Sequence, residues 1–116
     1  MPPARGLKTH WFYILLSLAA EDRHGLAISR DVLTLSEGQV KLWPATLYGS
    51  LDELTTRGWI EELPDTHART QHESERKRFY RLTRSGRAAL AAETDRLTQL
   101  ARVARARIRH RAGDPA

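Results

Sequence analysis

The segment Trp43-Pro44-Ala45-Thr46-Leu47-Tyr48-Gly49-Ser50-Leu51-Asp52-Glu53-Leu54 constrains the fold most. Pro44 suits the first turn of a helix, where its missing N–H would have no partner anyway. Leu47, Leu51 and Leu54 then fall at i, i+4 and i+7, a single apolar stripe. The spacing predicts a short helix from Pro44 to Arg57, stopped at Gly58. Thr46, Tyr48, Gly49, Ser50 and Glu53 are left for its other faces. Such a helix buries one side only, so it has to lie on a core supplied by its neighbours.

Those neighbours can be read in turn. Residues 9–20 form a helix with Thr9 as its candidate cap and Trp11, Ile14, Leu15 and Leu18 at helical spacing. Glu21 to Gly25 is a polar break. A second helix spans about Leu26 to Leu35, carrying Leu26, Ile28, Val32 and Leu35, with Gly38 as its left-handed cap. Val40 to Trp43 is extended, because residues before a proline avoid the α region. Trp59–Leu63 and Lys77–Leu82 read as two strands around a polar loop, Tyr80 and Leu82 on one face and Phe79 and Arg81 on the other. Thr83 caps a last helix that runs to about His110; Gly86 stands where a full capping box would have Glu or Gln. At 1.5 Å per residue this helix is roughly 40 Å long, more than a chain this small can cover. The order predicts a mainly α fold with a small β-hairpin wing: a winged helix-turn-helix over residues 9–82 and a C-terminal helix over 83–111.

Composition narrows the function classes. The apolar run Trp11–Leu16 is too short to cross a bilayer. The opening residues lack a signal-peptide pattern. There is no cysteine, which excludes disulfides and thiolate metal sites and fits a reducing compartment. The expectation is a cytoplasmic protein without membrane contact. A net charge of +5 and a pI near 10.2 point to anionic partners. The charge is uneven, however. Residues 1–81 hold eleven Lys/Arg and eleven Asp/Glu, whereas residues 82–116 hold eight arginines and three acids. A solvated arginine-rich helix accounts for that tail equally well.

His24, His67 and His72 lack the i, i+4 spacing of helical metal ligands and have no acid set beside them. His24 is read instead as serving the start of the second helix. No nucleophile–base arrangement, carboxylate pair or glycine-rich phosphate loop is recognisable, so neither an enzyme nor a bound metal or cofactor is expected.

The third helix carries the candidate nucleic-acid contacts. Thr46, Tyr48 and Ser50 offer hydroxyls to phosphates, and Thr or Tyr can also touch base edges or thymine methyls. Tyr48 alternatively packs against the second helix with its hydroxyl wet. Lys41, just ahead of the helix, is placed for a phosphate or is simply solvated. Arg69, Arg76, Lys77 and Arg78 surround the hairpin and suit phosphates; Glu73 and Glu75 dilute them, which favours Lys77 and Arg78 over Arg69. On the last helix Leu90, Thr94, Leu97, Ala101, Ala104 and Ile108 alternate at spacings of four and three, a heptad-like seam. The seam either folds back or meets a second copy, and the helix's length argues for the second copy. Trp11 is read as core, with a place in an effector pocket at the dimer interface as its other reading.

Four motifs in order resemble the PadR family of bacterial transcriptional regulators. They are Ile14-Leu15-Leu16-Ser17-Leu18; His24-Gly25-Leu26-Ala27-Ile28; Pro44-Ala45-Thr46-Leu47-Tyr48 followed by Leu51, Leu54, Gly58 and Ile60; and Tyr80-Arg81-Leu82-Thr83-Arg84-Ser85-Gly86. The resemblance spans roughly residues 10–100. Leu26 departs from the family's frequent Tyr, and Trp59 from its usual Leu. The resemblance implies a homodimer joined by the last helix, with the third helix in the major groove and the wing near the backbone or minor groove. It also implies repression of nearby genes from an inverted-repeat site on double-stranded DNA, often relieved by a small aromatic or hydrophobic effector. The competing expectation is a winged-helix module for protein–protein contact without sequence-specific DNA binding. A neutral third helix keeps that open, while the basic wing and the Pro-x-Thr-Leu-Tyr element favour DNA.

Overall fold

In the computed structural model, which describes residues 7–64 and 78–111, the leucine stripe forms the floor of a mainly helical domain. The elements are α1 (Thr9–Ala20), β1 (Arg23–His24), α2 (Gly25–Leu35), α3 (Pro44–Thr56), β2 (Ile60–Glu62), β3 (Phe79–Leu82) and α4 (Arg84–Arg111). Ile14, Leu15, Leu18, Ile28, Val32, Leu51, Leu54, Ile60 and Tyr80 are at most 2% exposed and make one continuous core.

The turn between α2 and α3 is held by Ser36. Its Oγ accepts from the Val40 N–H at 2.9 Å, which orders the extended stretch that buries Leu42. The left-handed residue that closes α2 is Glu37, at φ 54, not Gly38 alone; Gly38 follows at φ 83 and donates to the Leu33 carbonyl at 2.8 Å. α3 ends with the Trp59 N–H on the Leu54 carbonyl at 3.1 Å and the Gly58 N–H on the Thr55 carbonyl at 2.9 Å, a Schellman closure. Leu26 and Leu35, although apolar, lie on the outer side of α2.

The sheet has three antiparallel strands in the order β1-β3-β2. The expected two-stranded hairpin therefore gains a strand from the stretch read as a polar break. Arg23 pairs with Tyr80 and His24 with Phe79. A two-residue strand has no periodicity, so only its partner reveals it. β2 and β3 pair Ile60 with Leu82 and Glu61 with Arg81. Buried Tyr80 and Leu82 share the inner face, as the alternation required.

Three helix starts differ in how they are capped. Thr9 does not cap α1: Lys8 occupies that position and makes no side-chain cap bond. His24 does cap α2, its Nδ1 accepting the Ala27 N–H at 3.3 Å. Thr83 accepts the Gly86 N–H at 3.0 Å and donates to the Gly58 carbonyl at 2.6 Å, so it joins the start of α4 to the end of α3. A Cβ on Gly86 would stand 1.9 Å from the Trp59 carbonyl oxygen. Close approach to that backbone excludes the side chain a capping box would require there.

α4 divides at Glu93. Gly86, Ala89, Leu90 and Glu93 are buried, and α4 packs against α1 and β3. Beyond Glu93 the side chains are exposed, apart from half-buried Ala101. Leu90 was expected in an intermolecular seam but belongs to its own domain's core, since it lies within the stretch that rests on the body. Leu97, Ala101, Ala104 and Ile108 project beyond the body, and exposed Leu100 and Val103, absent from the expected seam, widen the apolar strip. No described helix is long and apolar enough to cross a membrane.

Candidate nucleic-acid interface

α3 lies across the surface with Leu47, Ser50, Leu51 and Leu54 inward. Ser50 is thus a correction: it is 5% exposed and offers no contact outward. Its position at i+3 from Leu47 and i−4 from Leu54 puts it on the buried stripe, a signal already present in the spacing. The exposed residues of α3 are Pro44, Ala45, Thr46, Tyr48, Gly49, Asp52, Glu53, Thr55 and Thr56. Around Ala45, Thr46 and Gly49 its side chains are small, and it carries no cation.

Thr46 is exposed, as expected. Tyr48 is about two-fifths exposed, and its hydroxyl lies against Gly25 at the start of α2, where any Cβ would stand 2.5 Å from that oxygen. The ring packs on α2 and leaves one side outward, a combination of the two readings of this residue. Lys41 is exposed, and its ammonium rests 4.4 Å from the centre of the Trp43 ring. Trp43, 62% exposed at the head of α3, is a surface residue that the sequence reading used only as a boundary. Its position ahead of a proline at N1, outside the leucine stripe, was the available signal.

The two flanks of α3 differ in charge. On the sheet side Arg78 makes a fork with Glu62, Nε and Nη2 donating at 3.1 and 3.0 Å, and Asp52 of α3 approaches at 3.9 Å. The bond to Glu62 raises the guanidinium's already high pKa. Arg81 is paired with Glu61 at 2.9 Å. Arg78, expected to be a phosphate ligand, is therefore already neutralised by a carboxylate across the sheet and would have to leave it. Beneath Arg78, burial pushes the Tyr80 phenol up to about 12, and its buried hydroxyl has no partner among the described residues, so it stays neutral. Arg69, Arg76 and Lys77 of the expected wing, and with them His67 and His72, lie outside the described residues.

On the other side a cleft of about 380 Å³ separates the start of α1 from α3, lined by Lys8, His10 and Trp11 opposite Thr46, Glu53 and Arg57. Trp11 is 5% exposed and part of the core, and the cleft it borders faces α3. Lys8 and Arg57 both stand over the Trp11 indole, at 4.9 and 4.8 Å from its centre, and Arg57 also lies 5.5 Å from the Trp59 ring. Burial, with Lys8 next in effect, holds His10 below the ordinary imidazole range. The sequence reading passed over Lys8 and Arg57 because their shared ring is remote from Arg57 along the chain. Among the described residues no group of three metal-ligating side chains is assembled.

The family model described as the transcriptional regulator PadR-like family matches residues 14–92. No curated protein matches the chain. Among solved structures, a PadR family transcription regulator from Clostridium difficile is 18% identical, with a TM-score of 0.70 over 84% of this chain and 96% of its own. A transcriptional regulator from Clostridium thermocellum is 21% identical, with a TM-score of 0.67 over 82% and 88%. RosR of H. salinarum is 27% identical, with a TM-score of 0.62 over 97% and 96%.

Proposed function

The chain belongs to the PadR-like family of transcriptional regulators, and on that footing we propose that it acts as a homodimeric repressor that reads an inverted-repeat DNA site. The observation that carries this reading is the outer face of α3. It is a short helix packed on the core by its leucine stripe, with Thr46, Tyr48 and Gly49 outward between two flanks. Such a helix fits a major groove about 12 Å wide, where base edges present a distinct pattern for each pair. Thr46 and the open side of Tyr48 are the residues offered to bases, and Lys41 beside Trp43 is offered to the backbone.

Residues 9–82 serve as the DNA-binding domain and 83–111 as the dimerisation segment. The apolar strip Leu97, Leu100, Ala101, Val103, Ala104 and Ile108 meets its copy in a second chain. A two-fold protein reads a two-fold site, so half-site centres should lie about 34 Å apart or a multiple of that. A small hydrophobic or aromatic effector relieves repression, in a cytoplasmic protein. The test is binding of the full chain to the duplex upstream of its own gene, at two salt concentrations, with footprinting of the bound complex. Two protected half-sites and a cognate preference that survives the higher salt are expected. Equal, wholly salt-sensitive binding to any duplex would sink the sequence-specific reading and favour a protein-contact module.

A further inference from the structure

We propose that the cleft between the start of α1 and α3 seats a backbone phosphate of the DNA duplex, held by Lys8 and Arg57. The inference rests on the reading that α3 enters the major groove. It adds the wall that the groove's flanking strand meets.

The first ground is the contrast in pairing. The described cations of the sheet, Arg23, Arg78 and Arg81, are all joined to carboxylates. Neither Lys8 nor Arg57 has a carboxylate within 4 Å among the described residues. Instead both cations stand over one indole. The ring attracts each cation without cancelling its charge. Both line the one cleft, so an anion seated there would meet two positive groups that no carboxylate neutralises.

The second ground is pre-organisation. Arg57 sits at the C-cap of α3 with Trp11 and Trp59 as ring neighbours. A guanidinium stacked on a ring keeps its N–H edge free for two parallel bonds to phosphate oxygens, and little side-chain freedom remains to be lost on binding. Thr46 lines the same cleft, so a phosphate there would be adjacent to the base-facing side of the helix.

The third ground is fit. An α-helix with its side chains is about 10–12 Å across, close to the width of the major groove, so both of its flanks meet sugar–phosphate walls. The outer face itself bears Asp52 and Glu53 and no cation. Attraction to the duplex must come from beside the helix. Glu53 lines the cleft without an ion pair to either cation, and it opposes the phosphate.

The experiment is anisotropy of the full chain on two fluorescent duplexes, the one upstream of its own gene and a scrambled one, across a salt series. Lys8→Gln with Arg57→Gln should weaken binding to both duplexes by about tenfold or more and lower the salt slope by about one per subunit. Lys8→Arg, with charge kept, should bind like the parent. Glu53→Gln should tighten binding to both duplexes several-fold, a gain that misfolding cannot produce. An unchanged slope in the double variant, a loss confined to the upstream duplex, or weaker binding by Glu53→Gln would overturn the phosphate seat while leaving the groove reading intact. Failure of the parent chain to bind either duplex would overturn both.

Discussion

The two halves of α4 belong to one uninterrupted helix, yet they are built for different surroundings. In the first half Gly86, Ala89, Leu90 and Glu93 are buried against the body, and Gly86 touches the Trp59 backbone so closely that no side chain fits. In the second half Leu97, Leu100, Val103 and Ile108 are 36 to 66% exposed. The first half is shaped by contacts already present in its own chain. The second keeps apolar side chains in water, which is favourable only once another surface covers them. Glu93 marks the division. It is 3% exposed, and its carboxylate accepts from Arg96 Nε at 2.9 Å one turn into the free half.

The sharpest way to break this contrast is Gly86→Ala. A methyl directed at a backbone carbonyl cannot be accommodated by a rotamer change, so α4 must lift off Trp59. A loss of about 3 kcal/mol or more is expected in urea unfolding, with the domain and the dimer failing together. A variant with parental stability would show that the first half is not tightly docked.

Leu97→Asp with Leu100→Asp addresses the other half. These side chains touch little of their own chain, so the unfolding of the body should change by about 0.5 kcal/mol or less. The dissociation constant of the proposed dimer should rise on the order of a hundredfold in sedimentation, because charges would be buried where apolar contact is required. Retention of a tight dimer would place the interface elsewhere.

The smallest effect is expected at the division itself. The Arg96 hydrogen bond holds the Glu93 carboxyl below its ordinary range. A depressed folded pKa means that the contribution is present above the unfolded value, near 4.5, and is lost as pH falls through the lower folded value. Glu93→Gln should therefore lower stability modestly at pH 7 and flatten the acid limb of the stability profile below about pH 4.5. An acid limb identical to the parent's would remove Glu93 from the account. Because the bond joins the docked turn to the projecting one, the variant should also fray the junction, seen as faster amide exchange at residues 94–97.

Much of the molecule was legible in the sequence because the signals are local. Pro44 at the head of α3, the leucine stripe, Thr83 as a cap, His24 at the start of α2 and the excess length of α4 each depend on residues within a turn or two. Burial of Ser50 was legible as well, from its spacing to Leu47 and Leu54, although a hydroxyl invites a surface reading. Tertiary structure alone decided the rest. β1 exists only because β3 passes beside Arg23 and His24. Arg78 reads as a free cation until Glu62, sixteen residues away, accepts its fork. Lys8 and Arg57 come to line one cleft beside the same indole only when α1 and α3 pack together. Helical and strand periodicities follow from short-range backbone geometry, and a sequence states them directly. Which charges are cancelled and which remain for a partner depends on distances between remote segments, and those distances are set when the core closes.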